Sequence, residues 1–436
     1  MEKKFLRSLK DPDKLIYLIM LLSLIGSMVY FFVTGPATLS NSDDVGYLAG
    51  GLAFAKNGYI AVWIDAPTAL IMPAMGLITG FAAKIFGDTP LYIISIRLLF
   101  ILISCWTPLF FYRACAVHMP KWYALLTSLV FLFPTHLWAN TLILTEAPYL
   151  LFFIMCIYYT FKMGESNEHK FLIRYCISFI LALSFRANAV VMPAFTWIYL
   201  LLIRKYSLIE LLRRLCILAL ASMILILPWT IRNYVRFQTF IPLTYGTHHP
   251  IMLGTYIGVG YPLDEELDYE TNVDIPFQRD YAEYLDEAGN PKSSEYDCFL
   301  KHMRLKYVVD YRISEWMERD LGSFLYSYLI FKPLSMLNWV WYWGPGSFVE
   351  PIMGIFSKIN ILFCGIGFIL SWLLKKRREV ILFLGAMYVF NIYTISTAIT
   401  TERYAAMNLP LRYIIAGIGI WLIVEAFKYL KQKKYS

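Results

Sequence analysis

The sequence predicts an all-α polytopic membrane protein. Of its 436 residues, 58% are hydrophobic, 17% are aromatic and only 16% are charged. The apolar residues form runs of roughly 17 to 25, the length that a helix needs to cross a hydrocarbon core of about 30 Å. The formal net charge of +8 is spread between these runs, so a nucleic-acid interface is not expected. The seven cysteines are scattered without CxxC spacing, which argues against a disulfide framework or a zinc knuckle.

The positions of Lys and Arg predict ten spans with both termini in the cytoplasm, because short cytoplasmic loops carry the excess of these residues. Five basic residues precede the first apolar run, and the length of that run indicates a retained anchor and not a signal peptide. The predicted spans are 15–33, 93–112, 122–140, 147–161, 172–185, 188–203, 215–230, 351–374, 380–399 and 410–427. Every inward loop in this arrangement is basic, which favours an even number of spans.

Two further apolar stretches, 67–86 and 324–343, are predicted to be external juxtamembrane helices that are amphipathic or re-entrant. Counting the first as a span would break the pattern of basic inward loops. The chain then divides into an N-terminal membrane module (1–230) with a first external loop (34–92), an external segment (231–350) and C-terminal membrane helices (351–436). The composition of the external segment indicates a solvated loop or a small cap.

The main functional signal is a pair of carboxylates, Asp43 and Asp44, about ten residues beyond the first run. Carboxylates just outside a bilayer are suited to remove a proton from one substrate while the other stays in lipid. In the predicted topology, seven charged residues lie at or near outer helix ends: Asp43, Asp44, Arg97, Glu146, Arg186, Arg232 and Arg403. Snorkelling or helix capping explains any one of them. As a group they favour a site that holds a phosphate and removes a proton.

Short motifs along almost the whole chain resemble a known family. The most specific is Pro228-Trp229-Thr230-Ile231-Arg232-Asn233-Tyr234. The others are Asp43-Asp44 with Tyr47, Ala49, Asn57-Gly58-Tyr59 and Pro67; Ser95-Ile96-Arg97-Leu98; Leu144-Thr145-Glu146-Ala147-Pro148; and Glu402-Arg403-Tyr404 with Leu409-Pro410. Together they resemble the family that includes protein O-mannosyltransferases and lipid A aminoarabinose transferases. The chain departs from that pattern by its Asp-Asp pair in place of Asp-Glu, and by Asp65-Ala66-Pro67-Thr68 where many members carry Lys-Pro-Pro.

This resemblance implies a GT-C fold and an activity in the plasma membrane. The implied reaction transfers a sugar, with inversion, from a polyprenyl-phosphate carrier to an envelope glycan, lipid or protein on the extracytoplasmic face. Asp43 is the expected general base, and Asp44 or Glu146 is expected to orient the acceptor. The candidates for binding the donor phosphate are Arg97, Arg186, Arg232 and Arg403. The external segment 231–350 is the expected acceptor side.

Other interpretations stay open at this point. A transporter or flippase of polyprenyl-linked solutes would explain the charged helix ends, but it predicts an internal repeat, which the sequence does not show. A glycan polymerase or ligase would share the donor chemistry. No cofactor motif is present: His248-His249 could join Asp43 or Glu146 around a divalent metal, but the spacing is not that of a zinc site. Gly254, Gly258 and Gly260 do not follow a predicted strand, so no dinucleotide site is expected.

Overall fold

The computed structural model describes residues 11–203, 205–338 and 349–435. In these ranges the regular secondary structure is helical, and the one β interaction found in them is an isolated bridge between Leu285 and Pro291. The all-α prediction is therefore confirmed. Four of the five basic residues before the first span, and residues 339–343 of the second juxtamembrane stretch, lie outside the described residues.

Eleven α-helices precede residue 238 in the described chain. They are α1 (Pro12–Val33), α2 (Asp43–Asn57), α3 (Pro73–Phe86), α4 (Pro90–Ser104), α5 (Thr107–His118), α6 (Lys121–Ser128), α7 (Pro134–Ala139), α8 (Glu146–Glu165), α9 (His169–Phe185), α10 (Met192–Leu202) and α11 (Leu208–Phe237).

Eight α-helices follow. They are α12 (His248–Gly254), α13 (Ile275–Asp280), α14 (Ser294–Tyr326), α15 (Lys332–Asn338), α16 (Val349–Leu373), α17 (Arg378–Ser396), α18 (Glu402–Ala406) and α19 (Leu409–Tyr435). The external segment is thus largely helical, with α14 as its longest element.

Each of the ten predicted spans falls on helical structure, and the described chain contains seven stretches that are long and apolar enough to cross a membrane. They comprise α1, α4 with α5, α8, α11, α16, α17 and α19. The third predicted span is broken into α6, a short 3₁₀ turn and α7, because Pro134 has no N–H to continue the helix. α9 and the helical stretch Ala187–Leu202 are shorter than the seven. The chain is a multi-pass membrane protein, and crossing at these three positions stays a prediction.

The first external loop forms two helices, α2 and α3, that pack closely on each other. Gly51 of α2 allows this, since a Cβ there would lie 2.8 Å from the backbone carbonyl carbon of Thr79 in α3. The N-terminus of α2 is held by Asp44, whose carboxylate accepts hydrogen bonds from the backbone N–H groups of Ser40 (2.5 Å), Ser42 (2.7 Å) and Val45 (3.1 Å). These bonds fix the turn in which Asp43 stands.

Three helix pairs form the core beside the site. α8 packs against α5 and α9, and α16 packs along α19. The core between these helices is apolar and buried, with Ile154, Phe161 and Leu183 fully enclosed. The ends of α2, α8, α9 and α18 meet beside this core.

Candidate active site

Four of the seven predicted site residues form one chain of alternating charges, Asp43–Arg403–Glu146–Arg186. Nη1 of Arg403 lies 2.6 Å from Oδ2 of Asp43. Nε of the same guanidinium donates to Oε1 of Glu146. Oε1 of Glu146 also accepts from Nη1 of Arg186 at 2.7 Å. Two carboxylates and two guanidinium groups therefore balance each other in a single network.

Each member of this ion-pair chain stands at a helix end. Asp43 is the first residue of α2, and Glu146 is the first residue of α8. Arg186 follows the last residue of α9, and Arg403 lies in the short helix α18 before α19. Carboxylates in the first turn of a helix are stabilised by its dipole. The local structure therefore favours acids at the starts of α2 and α8, where the two arginines reach them.

Burial differs strongly along the ion-pair chain. The exposed fraction of the side chain is 36% for Asp43, 12% for Arg403, 7% for Glu146 and 17% for Arg186. Asp43 is thus the accessible end, and Glu146 is enclosed between the two arginines. A buried carboxylate between two cations is suited to fix their positions, because removing it would leave their buried positive charge less well compensated.

Two tyrosines complete the surroundings of the ion-pair chain. The ring of Tyr404 lies 5.3 Å from the guanidinium carbon of Arg186 and 5.9 Å from that of Arg403, distances at which a cation is attracted by a ring face. The hydroxyl of Tyr47, one turn after Asp43 in α2, lies 3.5 Å from Oδ2 of Asp43. Burial and the nearby Asp43 charge raise the pKa of Tyr47, so its phenol is a proton donor at neutral pH.

A cavity of about 510 Å³ opens directly on the accessible end of the ion-pair chain. Asp43 and Arg403 line it together, so a ligand in this space meets a carboxylate and a guanidinium side by side. The lining residues are Ser42, Asp43, His249, Pro250, Leu253, Ile399, Thr400, Thr401, Arg403 and Tyr404. They come from the first external loop, from α12, from the turn between α17 and α18, and from α18 itself.

The α12 wall of this cavity is held at its C-terminal end by a close backbone contact. A Cβ on Gly254 would lie 2.3 Å from the carbonyl oxygen of Ala398, so glycine is required for the approach. Nζ of the fully buried Lys332 donates to the carbonyl oxygen of Gly254 at 2.8 Å. Near the other end, the N–H of Tyr245 donates to the carbonyl oxygen of Ala69 at 3.0 Å. α12 is thus fixed to both the first external loop and the turn between α17 and α18, which precedes Arg403.

The other three predicted site residues lie away from the cavity lining and bind backbone. Asp44 is 1% exposed and holds the turn before α2. Arg97 is 2% exposed and donates to the carbonyl oxygens of Gly35 (2.5 Å), Pro36 (2.9 Å) and Thr141 (2.9 Å). Arg232 donates to the carbonyl oxygens of Ile60 (2.9 Å) and Thr68 (2.8 Å). All three organise the loops around the site, and their contacts give no support to a direct part in catalysis or phosphate binding.

Several residues at the cavity were not predicted from the sequence. Tyr404 stood within the Glu402-Arg403-Tyr404 motif, so that motif was a usable signal for it. His249 was considered only as a metal ligand. In the described residues, no group of three or more His, Cys, Asp or Glu side chains is arranged to hold a metal ion. Gly254 was considered only for a dinucleotide site. Leu253 and Lys332 gave no sequence signal, because their roles depend on contacts between distant parts of the chain.

Comparisons with known proteins give similarity at the level of structure. No family model and no curated protein matches the sequence. Among solved structures, ArnT from Cupriavidus metallidurans bound to undecaprenyl phosphate is similar, with a TM-score of 0.43 and 12% sequence identity over 93% of this chain and 77% of that chain. The same protein in the apo state gives a TM-score of 0.41, with the same identity and coverage.

Proposed function

We propose that this protein is a GT-C glycosyltransferase that transfers a sugar from a polyprenyl-phosphate carrier to an envelope acceptor. The observation that carries the proposal is that Asp43 and Arg403 stand side by side on one cavity, at helix ends next to the membrane-spanning bundle. Both residues also lie in motifs that resemble the family. The reaction takes place on the extracytoplasmic face of the plasma membrane, with both termini in the cytoplasm.

The proposed reaction is a single displacement with inversion. Asp43 takes the proton from the acceptor hydroxyl or amine as the acceptor atom bonds to the anomeric carbon of the sugar. The bond from that carbon to the phosphate oxygen breaks, and the electron pair leaves with the polyprenyl phosphate. Arg403 offers a planar fork of N–H donors to the phosphate. No enzyme nucleophile is needed for one displacement, and the polyprenyl tail stays in lipid.

Glu146 has a positioning role in this proposal. Its carboxylate binds Arg403 and Arg186 and is only 7% exposed, so the acceptor has little access to it. Arg403 lines the cavity, and fixing its guanidinium there keeps positive charge where the leaving phosphate gains negative charge. Glu146 therefore serves donor binding and not acceptor orientation.

The proposal is tested first by the lipid that the protein carries. Mass spectrometry of the purified protein should detect a polyprenyl phosphate that bears a monosaccharide. A carrier with a long glycan would instead indicate a polymerase or ligase. Transport of the carrier in vesicles without sugar transfer would indicate a flippase.

The second test is transfer of radiolabelled sugar from polyprenyl-phosphate donors to an envelope extract. Asp43→Asn should lower turnover by about 10²- to 10⁴-fold, because an amide cannot accept the acceptor's proton. Asp65→Asn is the matched control, since it removes the same charge from an exposed side chain of the same loop, paired with Lys56 at 3.6 Å. Near-normal transfer by Asp43→Asn would exclude Asp43 as the base.

A further inference from the structure

Arg403 forms ion pairs with two carboxylates, and a ligand can displace one of them from the guanidinium more easily than the other. Glu146 is enclosed and also holds Arg186. Asp43 is 36% exposed, lines the cavity and begins α2, so its side chain faces open space. An anion that enters the cavity therefore competes with Asp43, and not with Glu146, for the guanidinium of Arg403.

We propose that Asp43 occupies the place of the donor phosphate on Arg403 in the resting enzyme, and that the arriving phosphate releases Asp43 to act as the base. This inference rests on the proposed function and adds a regulation to it. The contact between Asp43 and Arg403 is autoinhibitory: while it lasts, the carboxylate that must take a proton is bound to a cation.

Charge and geometry both support the exchange. An arginine fork matches the oxygens of a phosphate as well as those of a carboxylate. The ion-pair chain is neutral, with two carboxylates and two guanidinium groups, so one phosphate anion gives it a net negative charge. A carboxylate that has lost its cation and gained an anionic neighbour binds a proton more readily. The hydroxyl of Tyr47, at 3.5 Å from Oδ2, is in place to hold the released side chain.

The exchange has a consequence for the order of the reaction. Asp43 becomes available to the acceptor only after the donor phosphate has bound Arg403. Donor therefore binds before acceptor. The product phosphomonoester carries more negative charge than the donor diester, so it keeps Asp43 displaced until it leaves.

The test uses binding of a fluorescent polyprenyl phosphate to the full-length protein in nanodiscs. Asp43→Asn removes the internal competitor and should bind this lipid about tenfold more tightly, which corresponds to about 1.4 kcal/mol. Asp65→Asn should bind like the wild type, because the same charge is lost outside the ion-pair chain. In an Arg403→Gln background, the further change Asp43→Asn should leave the affinity unchanged.

The outcomes separate the inference from the proposed function. A gain in affinity of equal size in both backgrounds would show general charge repulsion and overturn the exchange. No gain in Asp43→Asn would overturn it as well, while leaving the glycosyltransferase proposal intact. Absence of lipid binding by the wild type would instead remove the proposed function itself.

A second measurement needs no substitution. In the wild-type protein, a water-soluble carbodiimide with an amine should label Asp43 more rapidly once polyprenyl phosphate is added, because the carboxylate has left Arg403. Peptide mass spectrometry reports the labelled fraction, and labelling of Asp65 should not change. A fall or no change in Asp43 labelling on addition of the lipid would contradict the exchange.

Discussion

Gly254→Ala tests whether the α12 wall sets the shape of the cavity. The added Cβ would lie 2.3 Å from the carbonyl oxygen and 2.7 Å from the carbonyl carbon of Ala398, and 2.8 Å from the carbonyl oxygen of Thr397. A relaxed carbon–oxygen contact is about 3.3 Å, so α12 must move away by about 1 Å. The atoms on the other side are backbone and cannot rotate aside. Overpacking of this kind costs about 1–3 kcal/mol of stability.

The displacement should also affect transfer, since α12 supplies His249, Pro250 and Leu253 to the cavity. A misplacement of about 1 Å can lower a rate by about 10²-fold. The matched control is Gly385→Ala in α17, where a Cβ meets nothing within 4 Å. In mid-helix this control should be neutral or stabilise by up to about 1 kcal/mol.

Both variants are compared in two assays. Thermal unfolding in detergent is monitored by tryptophan fluorescence, and activity is measured by the sugar-transfer assay. Gly254→Ala should unfold at a lower temperature than Gly385→Ala and transfer sugar more slowly. If the two variants are equally stable and equally active, the contact between α12 and the end of α17 does not position the cavity wall.

Three further predictions concern other parts of the structure. Glu146→Gln should destabilise the protein by about 3–5 kcal/mol, because it leaves two largely buried guanidinium groups without their shared carboxylate. Asp43→Asn, at the exposed end, should cost about 1 kcal/mol or less, and equal unfolding temperatures for the two variants would contradict this difference. Burial lowers the pKa of Lys332 to about 7 in the folded protein, whereas the pKa of a lysine in the unfolded chain is about 10.4. Between these two pKa values the unfolded state binds more protons than the folded state, so the stability of the protein should rise with pH above about 7. Stability measured from pH 6 to 8.5 should show this rise in the wild type and lose it in Lys332→Met. An unchanged pH profile in the variant would exclude Lys332 as the source of the rise. In a cysteine-free background, Glu287→Cys should react with an impermeant thiol reagent in intact cells and Gln432→Cys should not; the opposite pattern would reverse the topology.

The sequence by itself determined the class of the molecule. Its apolar runs and basic loops predicted a helical membrane protein, and the seven span-length stretches fall on predicted spans because burial in lipid requires helices of that length. The position of Asp43 beyond the first span followed from the same pattern, and the Glu402-Arg403-Tyr404 motif indicated Arg403.

The roles within the group of charged residues were decided only by tertiary structure. From the sequence, Arg97, Arg232 and Arg403 were equivalent candidates for phosphate binding. The fold directs the first two at backbone carbonyls of the loops and only Arg403 at the cavity. The two carboxylates that pair with Arg403, those of Asp43 and Glu146, are more than 250 positions away in the chain, and no local sequence pattern indicates so distant a partner. Contacts of this kind depend on how helix ends meet in space, which periodicity and composition do not specify.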